Sequence, residues 1–163
     1  MVSKTMRVSM LASVAVLALG MAAPVQAQQN AMTFFVTSEG PGKGGDLGGL
    51  AGADATCQRL ATAVGLGSRT WRAYLSAERD AATGQAVNAR DRIGTGPWYN
   101  ANKQLIANNI AELHARTGDS TLFIDERGQK INGQWSGSPA PVEHDMLTGA
   151  NADGTVAAGL TCA

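Results

Sequence analysis

The sequence has no excess of charge of either sign, and it contains few charged and few aromatic residues. Its 13 basic and 13 acidic side chains give a formal net charge of zero, whereas a protein that binds nucleic acid or an anionic membrane needs a surplus of lysine and arginine. Charged residues make up only 16% of the chain, which excludes a coiled coil. The chain has eight aromatic residues, so most of them are needed for the core.

The residues that are abundant indicate one globular domain with long loops. A length of 163 residues suits one domain and is short for two. Hydrophobic residues make up 44% of the chain, which is ordinary for a folded protein and argues against wholesale disorder. The 20 glycines predict many turns and connections.

The N-terminus has the layout of a secretory signal peptide. Lys4 and Arg7 precede a nearly unbroken apolar run over residues 8–21, and small residues at positions 25 and 27 resemble a cleavage site. The alternative is a membrane anchor, but a run of about 14 residues is shorter than the ~20 that a spanning helix needs. We therefore expect residues 1–27 to be removed on export.

The remaining chain, residues 28–163, is predicted to be secreted or periplasmic and not to span a membrane. Because Lys4 and Arg7 are the only charged residues of the leader, it keeps 11 basic and 13 acidic side chains and a net charge of −2. An exported protein meets an oxidising compartment, so Cys57 and Cys162 are candidates for disulfide bonds.

Local patterns predict two helices, short antiparallel strands and long loops, which is an α+β arrangement. The helices are expected over 50–64 and 103–116. The expected extended segments are 33–37, 70–76, an edge segment over 87–93 and a hairpin over 122–131 that turns at Glu126-Arg127-Gly128. Residues 38–49 and 132–159 are predicted to be mostly loop.

No motif in the sequence supplies a complete catalytic set. The glycine-rich segment 38–49 matches neither a dinucleotide fingerprint nor a P-loop. Glu143, His144 and Asp145 form a polar cluster, but no second histidine is near in sequence, so a polar loop is the favoured interpretation. A nucleophile elbow is also absent. We therefore predict no catalytic residues and no metal site.

Five residues are candidates for ligand binding. Trp98 and Trp135 lie in glycine- and proline-flanked segments and could stack on sugar rings, although core packing is the alternative. Asp145, Asn151 and Asp153 could form a loose oxygen-ligand site, which makes calcium possible. The alternative is an Asx-rich turn, and the segment fails the EF-hand pattern at its first and twelfth positions.

Residues 48–76 carry a specific resemblance. They contain Gly-Ala-Asp, Cys57, Ala-Val-Gly-Leu and Trp-Arg-Ala-Tyr-Leu-Ser in order, which resembles endostatin, a C-terminal module of certain collagens. Residues 88–93 and 147–154 resemble a strand and a short loop of that module. The chain from residue 32 to 162 also looks like small exported bacterial proteins usually labelled lectins. The resemblance implies a C-type-lectin-like fold.

The differences from these families limit what the resemblance implies. Residues 28–163 contain only His114 and His144, so the zinc-binding histidine cluster of endostatin has no counterpart. The sugar-binding strings Glu-Pro-Asn, Gln-Pro-Asp and Trp-Asn-Asp are absent too. In this fold, the helix cysteine and the Thr-Cys strand cysteine belong to different bridges, which implies partners for Cys57 and Cys162 beyond residue 163. A chain that is incomplete at its C-terminus is thus favoured over a Cys57–Cys162 bridge.

The function expected from these features is an exported, non-catalytic, lectin-like binding module that recognises carbohydrate or an envelope glycan. The alternative is a structural or protein-interaction module without a sugar site, whose partner would be an envelope protein. An enzyme is the third hypothesis, because fold does not decide function.

Overall fold

The computed structural model describes residues 32–116, 119–143 and 145–161. The predicted signal peptide over 1–27 lies outside the described residues, as do His144 and Cys162. The elements are helix α1 (Gly49–Ala63), a 3₁₀ helix (Ala89–Asp91), strand β1 (Trp98–Tyr99), strand β2 (Leu105–Ala107) and helix α2 (Ile110–Ala115).

The predicted α+β class is confirmed. Strands β1 and β2 pair antiparallel in a two-stranded sheet, and isolated bridges join other extended parts of the chain. In the described ranges, no helix is both long enough and apolar enough to cross a membrane.

Helix α1 forms almost where the periodicity predicts it. Leu50, Ala53 and Leu60 are buried on one face of the helix, at spacings that return to the same side. Gly48 precedes the helix with φ +72° and Gly65 follows it with φ +81°, a conformation that favours glycine. The expectation of a helix over 50–64 is therefore confirmed to within a residue at each end.

The predicted strand over 70–76 joins no β-ladder of the described residues. Helix α1 supplies hydrogen-bond acceptors to two of its N–H groups instead. The N–H of Trp71 donates to Gln58 Oε1 at 3.1 Å, and the N–H of Ala73 donates to Asp54 Oδ1 at 2.8 Å. Side chains of the helix thus satisfy backbone groups that a neighbouring strand would otherwise bond.

The expected strand over 33–37 is reduced to one bridge. Val36 pairs with Asp125 in a parallel bridge, and its N–H donates to the carbonyl of Ile124 at 2.9 Å.

The predicted edge segment over 87–93 is also only partly extended. Val87 exchanges two hydrogen bonds with Ala77, and the chain then turns into the 3₁₀ helix.

The predicted helix over 103–116 is wrong in its first half. Ile106, assigned to the helical face, is fully buried in β2 instead. Asn109 then begins α2 as its N-cap, accepting the Glu112 N–H through its side chain at 3.0 Å. The i,i+4 spacing of Ile106 and Ile110 imitates a helix, but Ile106 is buried in β2 whereas Ile110, in α2, is half-buried.

The hairpin over 122–131 and the long loop over 132–159 are largely confirmed. Ile124 and Lys130 form an antiparallel bridge around the predicted turn. The N–H groups of Arg127 and Gln129 both donate to Asp125 Oδ1, which stabilises that turn. Within the described part of the loop, Ala150 and Val156 form one antiparallel bridge.

Three small clusters of buried hydrophobic residues form the core, each with half-buried neighbours packed on it. Their buried members are Leu50, Ala53, Leu75 and Ala77 in the first; Met32, Ala61 and Trp71 in the second; and Trp98, Ile106 and Ala107 in the third. The first two clusters lie against helix α1, and the third lies at the two-stranded sheet.

Candidate binding cleft

A cleft of about 1300 Å³ opens among the described residues. The extended segments 33–37 and 70–75 line it, together with residues 38–41 and parts of the loop over 145–152. Helix α1 contributes Ala53, Thr56 and Cys57 to the same lining. The site therefore combines backbone edges with a mostly small and apolar part of a helix.

Segment 70–75 presents an unused backbone edge to the cleft. In extended backbone, successive residues direct their N–H and C=O groups to opposite sides. Trp71 and Ala73 donate to helix α1, so Arg72 and Tyr74 face away from it, toward the side on which Ser76 donates to the Thr148 carbonyl at 2.8 Å. Over the described ranges, the backbone N–H and C=O groups of Arg72 and Tyr74 make no hydrogen bond.

Segment 33–37 presents a second edge of the same kind. The N–H of Phe34 donates to the Tyr99 carbonyl at 3.0 Å, and that of Val36 donates to Ile124. The backbone N–H groups of Phe35 and Thr37 have no acceptor among the residues that the structure places. The Phe35 ring also contacts Trp71, with centroids 5.0 Å apart, which joins the two segments.

A buried ion pair holds segment 70–76 in place. Nη2 of Arg92 donates to both carboxylate oxygens of Asp54 at 2.8 Å, and Nη1 of Arg92 donates to the Ala73 carbonyl at 2.7 Å. Arg72 adds a longer contact, 3.6 Å from Asp54 Oδ2. The Arg92 side chain is only 7% exposed, so this ion pair is largely removed from water.

Cys57 is a free, half-buried thiol in the lining of the cleft. Burial, followed by the negative charge of Asp54, raises the pKa of Cys57 to about 11. At neutral pH it is therefore a protonated and weakly nucleophilic side chain. The prediction that Cys57 and Cys162 belong to two different bridges stays a prediction, because Cys162 lies outside the described residues.

Tyr74 and His114 form a hydrogen-bonded pair beside the cleft, with 2.7 Å between the hydroxyl oxygen and Nε2. Burial, and then the charge of Asp153, raises the pKa of Tyr74. The backbone of Gly154 packs against this pair, since a Cβ there would lie 2.7 Å from His114 Nε2. The pair links helix α2, segment 70–76 and the loop over 148–156.

The structure brings some of the five candidate ligand residues to the cleft and not others. Trp98, Asp145 and Asn151 lie along its lining, whereas Trp135 and Asp153 do not. Trp98 is only 5% exposed and belongs to the third core cluster. Trp135 is half-buried, and the Lys130 ammonium lies over its ring, 5.6 Å from the centroid of the indole.

Asn151 and Asp153 of the 145–156 loop have local bonding partners. The side chain of Asn151 donates to Thr155 Oγ1 and to the Val156 carbonyl, both at 3.0 Å. Asp153 Oδ1 accepts the Thr155 hydroxyl at 2.6 Å, and hydrogen bonds to Thr155 lower the pKa of Asp153. These contacts are those of an Asx-rich turn. Among the described residues, no three His, Cys, Asp or Glu side chains are grouped so that they could hold a metal ion.

Sequence reasoning missed Asp54, Arg92, Tyr74 and His114 as parts of this site. Asp54 lies in the Gly-Ala-Asp series, but its partner Arg92 is 38 residues away and no local pattern links the two. Tyr74 and His114 are separated by 40 residues. The sequence offered one signal, at Asp54. A charged residue on the inward half of a predicted helix is expected to form an ion pair.

Comparisons with protein-family models, with curated proteins and with solved structures found no match for this chain. The chemistry and the shape of the cleft are therefore the basis on which its function is inferred.

Proposed function

We propose that the protein is an exported, non-catalytic binding module whose ligand, part of an envelope protein, occupies the cleft. The observation that carries the proposal is the cleft itself. Its volume of about 1300 Å³ exceeds the roughly 300–1,000 Å³ of most small-molecule pockets. Its walls include backbone edges without hydrogen bonds among the described residues, and an extended polypeptide can bond such edges.

The resemblance to endostatin and to exported lectin-like proteins supports the same class of function. We infer from it that the α+β arrangement is C-type-lectin-like. Within that class, a carbohydrate or envelope glycan remains the second candidate ligand, because Asp145 and Asn151 border the cleft. A sugar site usually offers an exposed aromatic face. Neither predicted tryptophan supplies one, since Trp98 is buried and Trp135 lies elsewhere, and the rings of Phe35 and Tyr74 that line the cleft are half-buried. The unbonded backbone edges are the reason for placing a protein ligand before a glycan.

The test fills the cleft with a tryptophan side chain and compares ligand binding between this variant, a control variant and the wild type. Thr56 lines the cleft from helix α1, whereas Ala55 is an exposed residue of the same helix outside the lining. Wild type, Thr56→Trp and the control Ala55→Trp would be cross-linked to an envelope fraction and applied to a glycan array with and without EDTA. Folding of each variant would be checked by circular dichroism.

We expect Thr56→Trp to lose a cross-linked protein that wild type and Ala55→Trp retain. Glycan signals that Thr56→Trp abolishes would favour the lectin function instead. Binding that is equal in all three proteins would contradict the assignment of the cleft as the site.

A further inference from the structure

We propose that Asn132 is a site of spontaneous chemical modification, at which the side-chain amide is lost and an aspartate or an isoaspartate takes its place. The chain has eight asparagines, and Asn132 is the one that a glycine follows. Because glycine has no side chain, its backbone nitrogen can approach the carbonyl carbon of the preceding side chain with little steric hindrance. The reaction is part of the chain's own covalent chemistry and does not depend on the proposed function of the cleft.

The structure places Asn132 and Gly133 at the two central positions of a tight turn. The N–H of Gln134 donates to the Ile131 carbonyl at 3.2 Å, which closes the turn. Gly133 has φ +94°, a conformation that a type II turn needs at its third residue. Asn132 and Gly133 are both half-buried and not enclosed in the core. Water therefore has access to the two groups that react.

The reaction needs water and no other reactant. The backbone nitrogen of Gly133 loses its proton and attacks Cγ of Asn132, so a bond from this nitrogen to Cγ forms while the bond from Cγ to Nδ2 breaks. The released nitrogen takes up one proton and leaves as ammonia, and the chain is left with a five-membered succinimide ring. Water then adds to one of the two ring carbonyls and opens the ring. One opening gives aspartate and the other gives isoaspartate, and no atom is oxidised or reduced.

The fold holds both reacting groups in hydrogen bonds. The N–H of Gly133 donates to Ser138 Oγ at 2.6 Å. This bond stabilises the protonated nitrogen and so opposes the loss of the proton that the attack requires. The side-chain amide of Asn132 donates to Glu143 Oε2 at 3.1 Å. We therefore expect the Ser138 hydroxyl to slow the modification in the folded protein.

The modification would change one wall of the cleft. Asn132 and Glu143 both line it, and the N–H of Glu143 donates to the Asn132 carbonyl at 2.9 Å. With the side-chain contact, two hydrogen bonds thus join the ends of the loop over 133–142. An aspartate at position 132 has no N–H to donate and sets a second carboxylate against Glu143. An isoaspartate lengthens the main chain by one carbon atom and moves its carbonyl, so either product should open the loop.

The test ages the intact protein at pH 7 and pH 9 and follows every asparagine by peptide mass spectrometry, with chromatography to separate aspartate from isoaspartate. Asn102, which is exposed and precedes lysine, and Asn151, which precedes alanine in another loop, are internal controls. We expect Asn132 to be converted at least tenfold faster than either, to a mixture of both products, and faster at pH 9 because the attacking nitrogen must lose a proton. Asn132→Gln should stay unmodified, since its longer side chain would have to form a six-membered ring.

A pair of serine variants tests the restraint that the fold imposes. Ser138→Ala removes the acceptor of the Gly133 N–H and should be converted at least threefold faster than the wild type. Ser136→Ala is the matched control, because Ser136 is an exposed serine of the same loop and has no hydrogen bond to the residues that the structure describes. It should be converted at the wild-type rate.

Amide hydrogen exchange tests the consequence for the loop. In the aged protein and in Asn132→Asp, the Glu143 amide should exchange at least tenfold faster than in the fresh wild type. The Gln129 amide, which donates to Asp125 outside this loop, should be unchanged.

Three results would overturn the inference. If Asn132 stays intact in the folded protein at pH 9, or is converted no faster than Asn102, it is not a modification site. Equal rates in Ser138→Ala and the wild type would show that the Ser138 hydroxyl does not restrain the reaction. Unchanged exchange at Glu143 would show that the loop stays closed after the modification.

Discussion

The carboxylate of Asp54 on helix α1 accepts two hydrogen bonds of 2.8 Å from the guanidinium of Arg92. The same carboxylate accepts the N–H of Ala73, and Arg92 also donates to the Ala73 carbonyl. One ion pair therefore fixes both backbone groups of a single residue in segment 70–76. The position of the cleft wall depends on this pair more than on any strand neighbour.

Breaking this pair should destabilise the fold. Asp54→Asn leaves the buried Arg92 guanidinium without its countercharge, and we expect a loss of about 3 kcal/mol in the free energy of unfolding. The measurement is urea denaturation at pH 7. Arg59→Met is the control, because the Arg59–Glu39 pair is more than half exposed and should contribute under about 1 kcal/mol. Equal losses in the two variants would show that the Asp54 pair does not hold the segment.

Gly154 should not tolerate a side chain. Its φ is +80°, and an added Cβ would lie 2.7 Å from His114 Nε2 and from Arg90 Cβ. Gly159 provides the control, because it has a similar φ of +74° but open space around it. We expect Gly159→Ala to cost about 1–2 kcal/mol through backbone strain alone. Gly154→Ala should cost clearly more and should shift the His114 ring resonances in NMR spectra, and similar stabilities would contradict the close packing.

Cys57 should react slowly with disulfide reagents. Its pKa of about 11 leaves on the order of a hundredfold less thiolate at pH 7 than the ordinary value of 9.0 would. In a Cys162→Ser variant, the rate with a chromogenic disulfide should be at least tenfold below that of a small free thiol and should keep rising with pH up to about 11. A rate that levels off near pH 9 would mean that burial and Asp54 do not raise the pKa. Mass spectrometry of the wild type with a thiol blocker would show separately whether Cys57 and Cys162 are both free.

Asn100 should be essential for the stability of the fold near the two-stranded sheet. Its side chain is fully buried, accepts the N–H groups of Asn102 and Gln104, and donates to the Leu122 carbonyl. Asn100→Ala leaves these partly buried groups without their partner, so we expect thermal unfolding to show a loss of about 2 kcal/mol. The exposed neighbour Asn102 serves as the comparison, and Asn102→Ala should change stability by less than about 0.5 kcal/mol. A small effect at Asn100 would mean that water replaces its amide.

Local patterns predicted the elements whose hydrogen bonds are local. Helix α1 and the turn at 126–128 satisfy their backbones within a few residues, so periodicity and turn residues sufficed. Segment 70–76 is different, because its N–H groups donate to Asp54 and Gln58, which precede it by more than ten residues. Its alternating sequence predicted extended backbone but could not indicate which groups would bond it.

The site was less predictable than the fold. Trp98 was a candidate for stacking on a sugar ring, but it packs in the core. In a chain with eight aromatic residues, burying its large apolar surface stabilises the fold more than exposing it would. The edges that line the cleft consist of backbone N–H and C=O groups. Every sequence contains such groups, so no residue pattern indicates which of them will stay unbonded. Only the three-dimensional arrangement shows which of them are left without a partner.

The anchoring of Ala73 to the helix also affects how quickly and how tightly a ligand could be captured. A loop that must become straight on binding loses conformational freedom at a cost of about 1–2 kcal/mol for each residue. In this protein the ion pair and the Gln58 side chain hold residues 71–73 extended through bonds within the chain itself. That entropy has already been lost during folding, so an incoming ligand would find a preorganised wall and could use its hydrogen bonds for affinity.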